Sequence, residues 1–232
     1  MSLPREIVSL LHEQNIPSPD APKNIFYFVG PYSCGSTTKV NRLKQIFGKR
    51  YQYISHEDFT PFLTTKMSVF IKNLLYLQSS WDNLMSAIRT MAITHQNTIF
   101  IDCHPVLSVL NSEGMYKSNK RSFISKQELE CIKRIYRAYT EHVNQSEILK
   151  GFNQTLYYIN LPIEVNLDLM KSKNRCDKIS DAEKYELECV RDTIHSNIVD
   201  ASNLFGDTRV VEVNTLMGLE VINMYIIGPS SC

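Results

Sequence analysis

Neither sign of charge dominates this chain: 25 Lys and Arg stand against 24 Asp and Glu, a net charge of +1 at pH 7. That balance excludes a global field able to gather nucleic acid or an anionic membrane, and leaves room for a local anion site. No apolar run approaches the roughly 18 residues of a membrane span. The opening residues MSLPREIVSLLHEQ carry Arg5, Glu6, His12 and Glu13, so they lack the cationic start and continuous apolar centre of a secretory signal. The cysteines, at 34, 103, 131, 176, 189 and 232, include no C-x-x-C and no histidine at metal-ligand spacing. They read as reduced thiols of an intracellular, soluble protein with neither a disulfide frame nor a zinc site. Repeats and low-complexity segments are absent, and tryptophan occurs once, at Trp81.

What remains is ordinary globular material. At 232 residues, 43% of them hydrophobic, the chain suits one α/β domain with a real core. Residues 1–22 read as an N-terminal helix (4–14) and a proline-punctuated entry loop. The runs NIFYFVG, YQYIS, NTIFIDC, TLYYINLP and TRVVEVN, beginning at residues 24, 51, 97, 155 and 208, read as strands. Helical patterns lie between them at 36–47, 62–95 (with a break near Ser79 and Ser80), 125–149, 162–173 and 181–203, and a closing helix follows the last strand. In the first helix Val40, Leu43, Ile46 and Phe47 are the expected core contacts. Strands alternating with helices of a dozen residues or more imply a five-stranded parallel sheet covered by helices on both faces. Ligands of such sheets bind at the carboxyl ends of the strands.

The segment after the first strand is the informative one. FYFVGPYSCGSTTKV, residues 26–40, has the strand, the glycine spacing and the helix of the phosphate loop G-x-x-x-x-G-K-[ST], but Ser36 stands where the lysine belongs. Gly30 and Gly35 permit the tight turn that aims main-chain N–H groups at a phosphate, and the following helix adds its positive end. Gly30, Ser33, Gly35, Ser36, Thr37 and Thr38 are therefore the candidate nucleotide-binding residues, with the Thr37 hydroxyl as a ligand for Mg²⁺. Ser36 cannot neutralise charge on the β- and γ-phosphates. Lys39, one turn on, has a stem long enough to reach back, but reads as a solvated helix residue.

Three motifs in order carry a resemblance. GPYSCGSTT resembles the G-P-x-x-x-G-K-T-T loop of the herpesvirus-type thymidine kinases, IFIDCHPV their strand ending in D-R-H-P, and LYYINLPIEVNLDLMKSKNR the strand, Leu-Pro and helix leading to an arginine-rich lid. The wider deoxyribonucleoside kinase family shares this order, which here runs from about residue 24 to 226. The resemblance implies a P-loop kinase fold, ATP and Mg²⁺, a nucleoside acceptor with thymidine favoured, a homodimer and a viral source. Glu57 would be the base taking the 5′-hydroxyl proton, with Asp58 beside it. Gln78 would pair with the nucleobase and Trp81 would stack on it, with Tyr116 opposite and Asp102 at the end of the third strand. Lys173 and Arg175 would act on the transferring phosphate from a lid at about 171–181, with Lys171, Asp177 and Lys178 near but out of register. His104 and Pro105 match the motif, and His104 reads as structural.

The departures fall on cations. Ser36 replaces the loop lysine, Cys103 the arginine of D-R-H-P, and Val165 and Leu169 two lid arginines. Residues expected to face the nucleoside are retained. Two readings stay open: an ATP-dependent deoxynucleoside kinase of reduced rate, and an inactive pseudokinase of the same fold serving as a nucleotide-binding or interaction scaffold. An unrelated P-loop NTPase or a sulfotransferase-like protein is a third.

Overall fold

The structure, a computed structural model, describes residues 22–32, 34–55, 67–94, 96–118, 124–174 and 179–215, with the backbone alone at 173–174. The expected helix at 4–14, the entry loop and the closing helix lie outside them. Among the described residues the strands are β1 (Lys23–Val29), β2 (Gln52–Ile54), β3 (Thr98–Ile101), β4 (Phe152–Ile159) and β5 (Thr208–Val213). The helices are α1 (Ser36–Phe47), α2 (Val69–Thr94), α3 (Val106–Ser118), α4 (Lys126–Ser146), α5 (Ile163–Asn174) and α6 (Asp181–Asn203). The strands form one parallel sheet in the order β2-β3-β1-β4-β5.

The central strands are apolar on both faces because both are covered. Ile25, Tyr27, Val29, Ile99, Ile101, Leu156 and Tyr158 pack with residues of α2, α3, α4 and α6. Phe28, Phe100, Tyr157 and Ile159 pack with Val40 and Leu43 of α1 and with Val165 and Leu169 of α5. β1 lies between β3 and β4, so connections leave its neighbourhood in both directions. That makes its carboxyl end the switch point of the sheet, where this class of fold opens a crevice.

Some local expectations are corrected. Ile46 is half exposed rather than core, because α1 lies on the sheet with only the Val40–Leu43 side. α2 runs unbroken through Ser79 and Ser80; the Ser80 hydroxyl donates to the Leu77 carbonyl within the helix, 3.0 Å away. Helix α3 was not apparent as a helix at all. Its Ser108 and Ser112 are buried alongside Val109 and Leu110, so the polar–apolar contrast that reveals a surface helix is missing. Those serines are satisfied locally: Ser112 Oγ donates to the Ser108 carbonyl at 2.6 Å and accepts from Asn73 Nδ2 at 2.9 Å.

α3 meets α6 closely at Gly114, where a Cβ would stand 2.5 Å from Val190 Cα. Alanine there would gain roughly 1 kcal/mol of helix propensity, but the opposing atom is backbone and cannot swing away. Gly114→Ala is therefore expected to lower stability by about 1–3 kcal/mol net, read as a fall in the urea midpoint at unchanged slope; an unchanged midpoint would mean the helices part freely.

His104 and the core beneath the site give a pH signature. The imidazole is buried, with Tyr27 and Phe205 edge-on to it at ring separations of 4.6 and 5.0 Å. Its Nδ1 accepts the Val106 amide at 3.1 Å, opening α3, which supports a structural role. Burial lowers its pKa from 6.5 to about 3. The unfolded chain then binds the extra proton between those values, so stability falls with falling pH in that window, at up to about 1.4 kcal/mol per unit from this group. His104→Asn, which keeps an acceptor for Val106, should flatten the slope of unfolding free energy between pH 6.5 and 4, whatever its effect at pH 7.

Candidate phosphate-binding site

The turn after β1 is fixed by three contacts. At Gly30 a Cβ would stand 2.5 Å from the Ile159 carbonyl oxygen of β4 and 2.9 Å from Cys34 Sγ, so glycine alone allows the chain to leave the sheet between two strand ends. The Cys34 amide donates to the Pro31 carbonyl at 3.1 Å, closing the turn. Gly35 adopts φ +91°, with nothing within 4 Å of a Cβ built there; it is the left-handed residue that starts α1.

α1 begins without a side-chain cap and with no acid in its first turn. The first intrahelical bond into its start is from the Lys39 amide to the Gly35 carbonyl, 3.0 Å, so the preceding amides have no helical partner. Cys34 is buried, and burial pushes its thiol pKa up, with the Ser36 amide and hydroxyl pulling it down as donors toward the sulfur. Ser36 and Thr37 are half-buried and Thr38 is exposed. An uncapped helix start at the switch point, entered through glycines that hold no side chain over it, fits a nucleotide phosphate. The half-buried Thr37 hydroxyl suits a hard cation beside such a phosphate. Ser33 lies outside the described residues.

Lys39 corrects an expectation. It is 5% exposed, not solvated. On the α1 wheel it joins the stripe of Ser36, Val40 and Leu43, and helical side chains lean toward the N-terminus. The stem therefore runs back along the side that carries Ser36.

Around the loop, Asp102 follows β3 and is 3% exposed; its carboxylate accepts from Ser55 Oγ at 3.1 Å, and its amide donates to the Ile54 carbonyl at 3.2 Å. This places Asp102 at the carboxyl ends of β2 and β3. Glu57, two residues after Ser55, lies outside the described residues, as do Arg175 and the Lys173 side chain. Tyr32 of the loop is 55% exposed, and burial raises the pKa of Tyr76 on α2, with Tyr32 adding to the rise. Tyr32 fills a variable position of the loop motif and Tyr76 stands in none, so the sequence singles out neither phenol.

The residues expected to hold a base are engaged elsewhere. Gln78, on the exposed side of α2, donates from Nε2 to Asp82 Oδ2 at 2.9 Å and accepts from the Tyr139 hydroxyl on α4. Trp81 is 9% exposed, stacked on Tyr139 at 4.6 Å and edge-on to Phe205 at 5.8 Å. The structure thus brings Gln78 and Trp81 together through Tyr139, in the α2–α4 seam, and makes the indole part of the core. Tyr116 is 38% exposed near the end of α3. Among the described residues no group of three or more His, Cys, Asp or Glu is placed to hold a metal ion, and no helix is long and apolar enough to cross a membrane.

Compared by sequence, the chain matches no protein-family profile and no curated protein. Compared by structure, it resembles deoxyadenosine kinase from M. mycoides with products dCMP and a flexible dCDP bound, at TM-score 0.54 and 13% identity over 88% of this chain and 98% of that one. It also resembles thymidylate kinase from Candida albicans, at TM-score 0.53 and 12% identity over 90% of this chain and 92% of that one. The fold is that of the P-loop nucleoside and nucleotide kinases, a five-stranded parallel sheet with helices on both sides.

Gly30→Ala drives a methyl group into the Ile159 carbonyl, which is backbone and cannot yield. The expected result is a loss of about 1–3 kcal/mol of stability and, if the loop holds nucleotide phosphates, a smaller thermal shift with ATP·Mg²⁺ than the parent protein gives. A variant that retains the full shift would show that the phosphates do not use this turn.

Proposed function

We propose that this chain is a deoxynucleoside-kinase-like protein whose loop between Gly30 and Thr38 holds nucleotide phosphates, with thymidine the favoured acceptor and phosphoryl transfer slowed by the serine at position 36. The observation that carries the reading is the loop itself: a glycine-lined turn onto an uncapped helix at the switch point of a P-loop kinase sheet. When bound, ATP supplies the phosphoryl group, and Mg²⁺ beside Thr37 the countercharge. Glu57 takes the proton of the nucleoside 5′-hydroxyl, Asp102 and Ser55 brace the acceptor side, and Lys173 and Arg175 bring positive charge from the lid. Lys39, buried on the Ser36 side of α1, stands in for part of the missing loop cation. Gln78 and Trp81 serve the base pocket only if the Tyr139 contacts open. The protein works in solution inside the cell, as a homodimer.

A second reading, the nucleotide-binding pseudokinase, draws on two observations. Donors of Ser36 point at the Cys34 sulfur, and the amide of Gln78 is already occupied on both sides.

Calorimetric titration with thymidine and with ATP·Mg²⁺, paired with a sensitive assay for nucleoside monophosphate, separates these. The kinase reading expects binding of both and slow turnover that rises about 100-fold or more in Ser36→Lys combined with Cys103→Arg, the scale of one preorganised electrostatic contact, and falls in Lys39→Met with ATP still bound. Binding without turnover, unrescued by those substitutions, is the pseudokinase result. Binding of neither ligand would defeat both.

A further inference from the structure

A concave site lies at the other end of the sheet from the phosphate loop. Between the last turns of α1 and the start of β2 is an open surface cavity of about 460 Å³, lined by Lys44, Lys49, Tyr51, Gln52, Tyr53 and Gln96. It adjoins the amino end of β2, whereas the phosphate loop follows the carboxyl end of β1, and the strands are parallel.

Its charge is one-sided. No acid lines it, and the sequence from residue 21 to 56 contains no Asp or Glu while carrying Lys23, Lys39, Arg42, Lys44, Lys49 and Arg50. Among the described residues Lys44 and Lys49 have no carboxylate partner, and the Arg50 guanidinium lies over the Tyr51 ring, 5.2 Å from its centre. Unpaired cations facing one hollow attract an anion.

Its floor is aromatic. Tyr53 stacks against Phe100 at 5.7 Å, Tyr51 meets Phe100 edge-on at 5.6 Å, and Phe47 meets Tyr51 edge-on at 5.3 Å. Both tyrosines are half-buried and line the cavity. Gln96 Nε2 donates to the Lys49 carbonyl at 2.7 Å and Gln96 Oε1 accepts from Gln52 Nε2. That bridge holds the turn of Lys49 against β2, and each amide keeps further hydrogen-bonding capacity.

We infer that this cavity binds a nucleoside monophosphate, its phosphate between Lys44 and Lys49 and its base on the tyrosine floor within reach of the Gln52 and Gln96 amides. Bare phosphate would leave the rings and amides without a role. A single strand of nucleic acid would need cations along a track, where this hollow offers one pair. The volume falls in the range of small-ligand pockets. The assignment is independent of whether the phosphate loop is loaded or the protein turns over.

The test is hydrogen–deuterium exchange on the full chain, titrated separately with AMP, inorganic phosphate and a short oligothymidylate. AMP should protect the amides of residues 48–53 at concentrations where phosphate does not. Lys44→Glu with Lys49→Glu should weaken that protection about 100-fold, roughly tenfold per charge-assisted contact, with the circular dichroism unchanged because both side chains are exposed. Gly30→Ala should leave it intact, which distinguishes this site from the loop. Equal protection by phosphate, protection by the oligonucleotide alone, or undiminished binding by the double variant would each overturn the assignment.

Discussion

Gly30 approaches β4 so closely that its missing side chain is the condition for everything at the crevice. A Cβ there would stand 2.5 Å from a main-chain carbonyl. With the turn held that tightly, Cys34 reaches down into the apolar layer of Phe28, Val40, Leu43 and Ile159 and ties the loop to the core. Gly35 then redirects the chain into α1, whose opening amides have neither a side-chain cap nor an acidic neighbour. Packing, not the loop's own polar groups, is what presents those amides. On the proposed reading a phosphate meets these amides at the helix start, and the Ser36 donors turn to it from the Cys34 sulfur.

The distribution of cations separates binding from chemistry. On the kinase reading, Ser36 leaves no charge at the point where a transferring phosphate would need it, and Cys103, which is half-buried, leaves none beside Asp102. Lys39 is drawn into the stripe that faces the sheet. A buried ammonium carries a large desolvation cost, so the site supports a cation at a place the usual loop does not use. On the proposed reading, nucleotide affinity would be largely main-chain in origin and would survive changes that slow transfer. Lys44 and Lys49 lie at the far end of α1, where they line a hollow with Tyr51 and Tyr53.

The frame was legible in the sequence because central parallel strands write themselves plainly. NIFYFV and LYYI are apolar on consecutive positions, which two covered faces demand, and each strand is followed by a helix long enough to cross back. Helix α3 was not legible: Ser108, Ser112 and Gly114 are buried because α6 passes close, so local polarity carried the opposite sign to local burial. The capping boxes Ser125–Glu128 and Ser180–Glu183 were present as S-x-x-E and mark the starts of α4 and α6. At the site, the glycines could be read because each answers a backbone requirement. Lys39 could not, since one helical position of phase decides between solvent and core. Gln78 and Trp81 depend on Tyr139, which is 61 and 58 positions away along the chain, and no local pattern announces a partner so remote.

On the proposed reading, main-chain amides between Gly30 and Thr38 surround a phosphate. Amide proton and nitrogen shifts of the isotopically labelled protein, followed while ATP·Mg²⁺ is added, test it most directly. Large downfield movements are expected at Gly35, Ser36, Thr37 and Thr38, saturating together, with small changes along α4. Unmoved loop amides in the presence of bound nucleotide would contradict it.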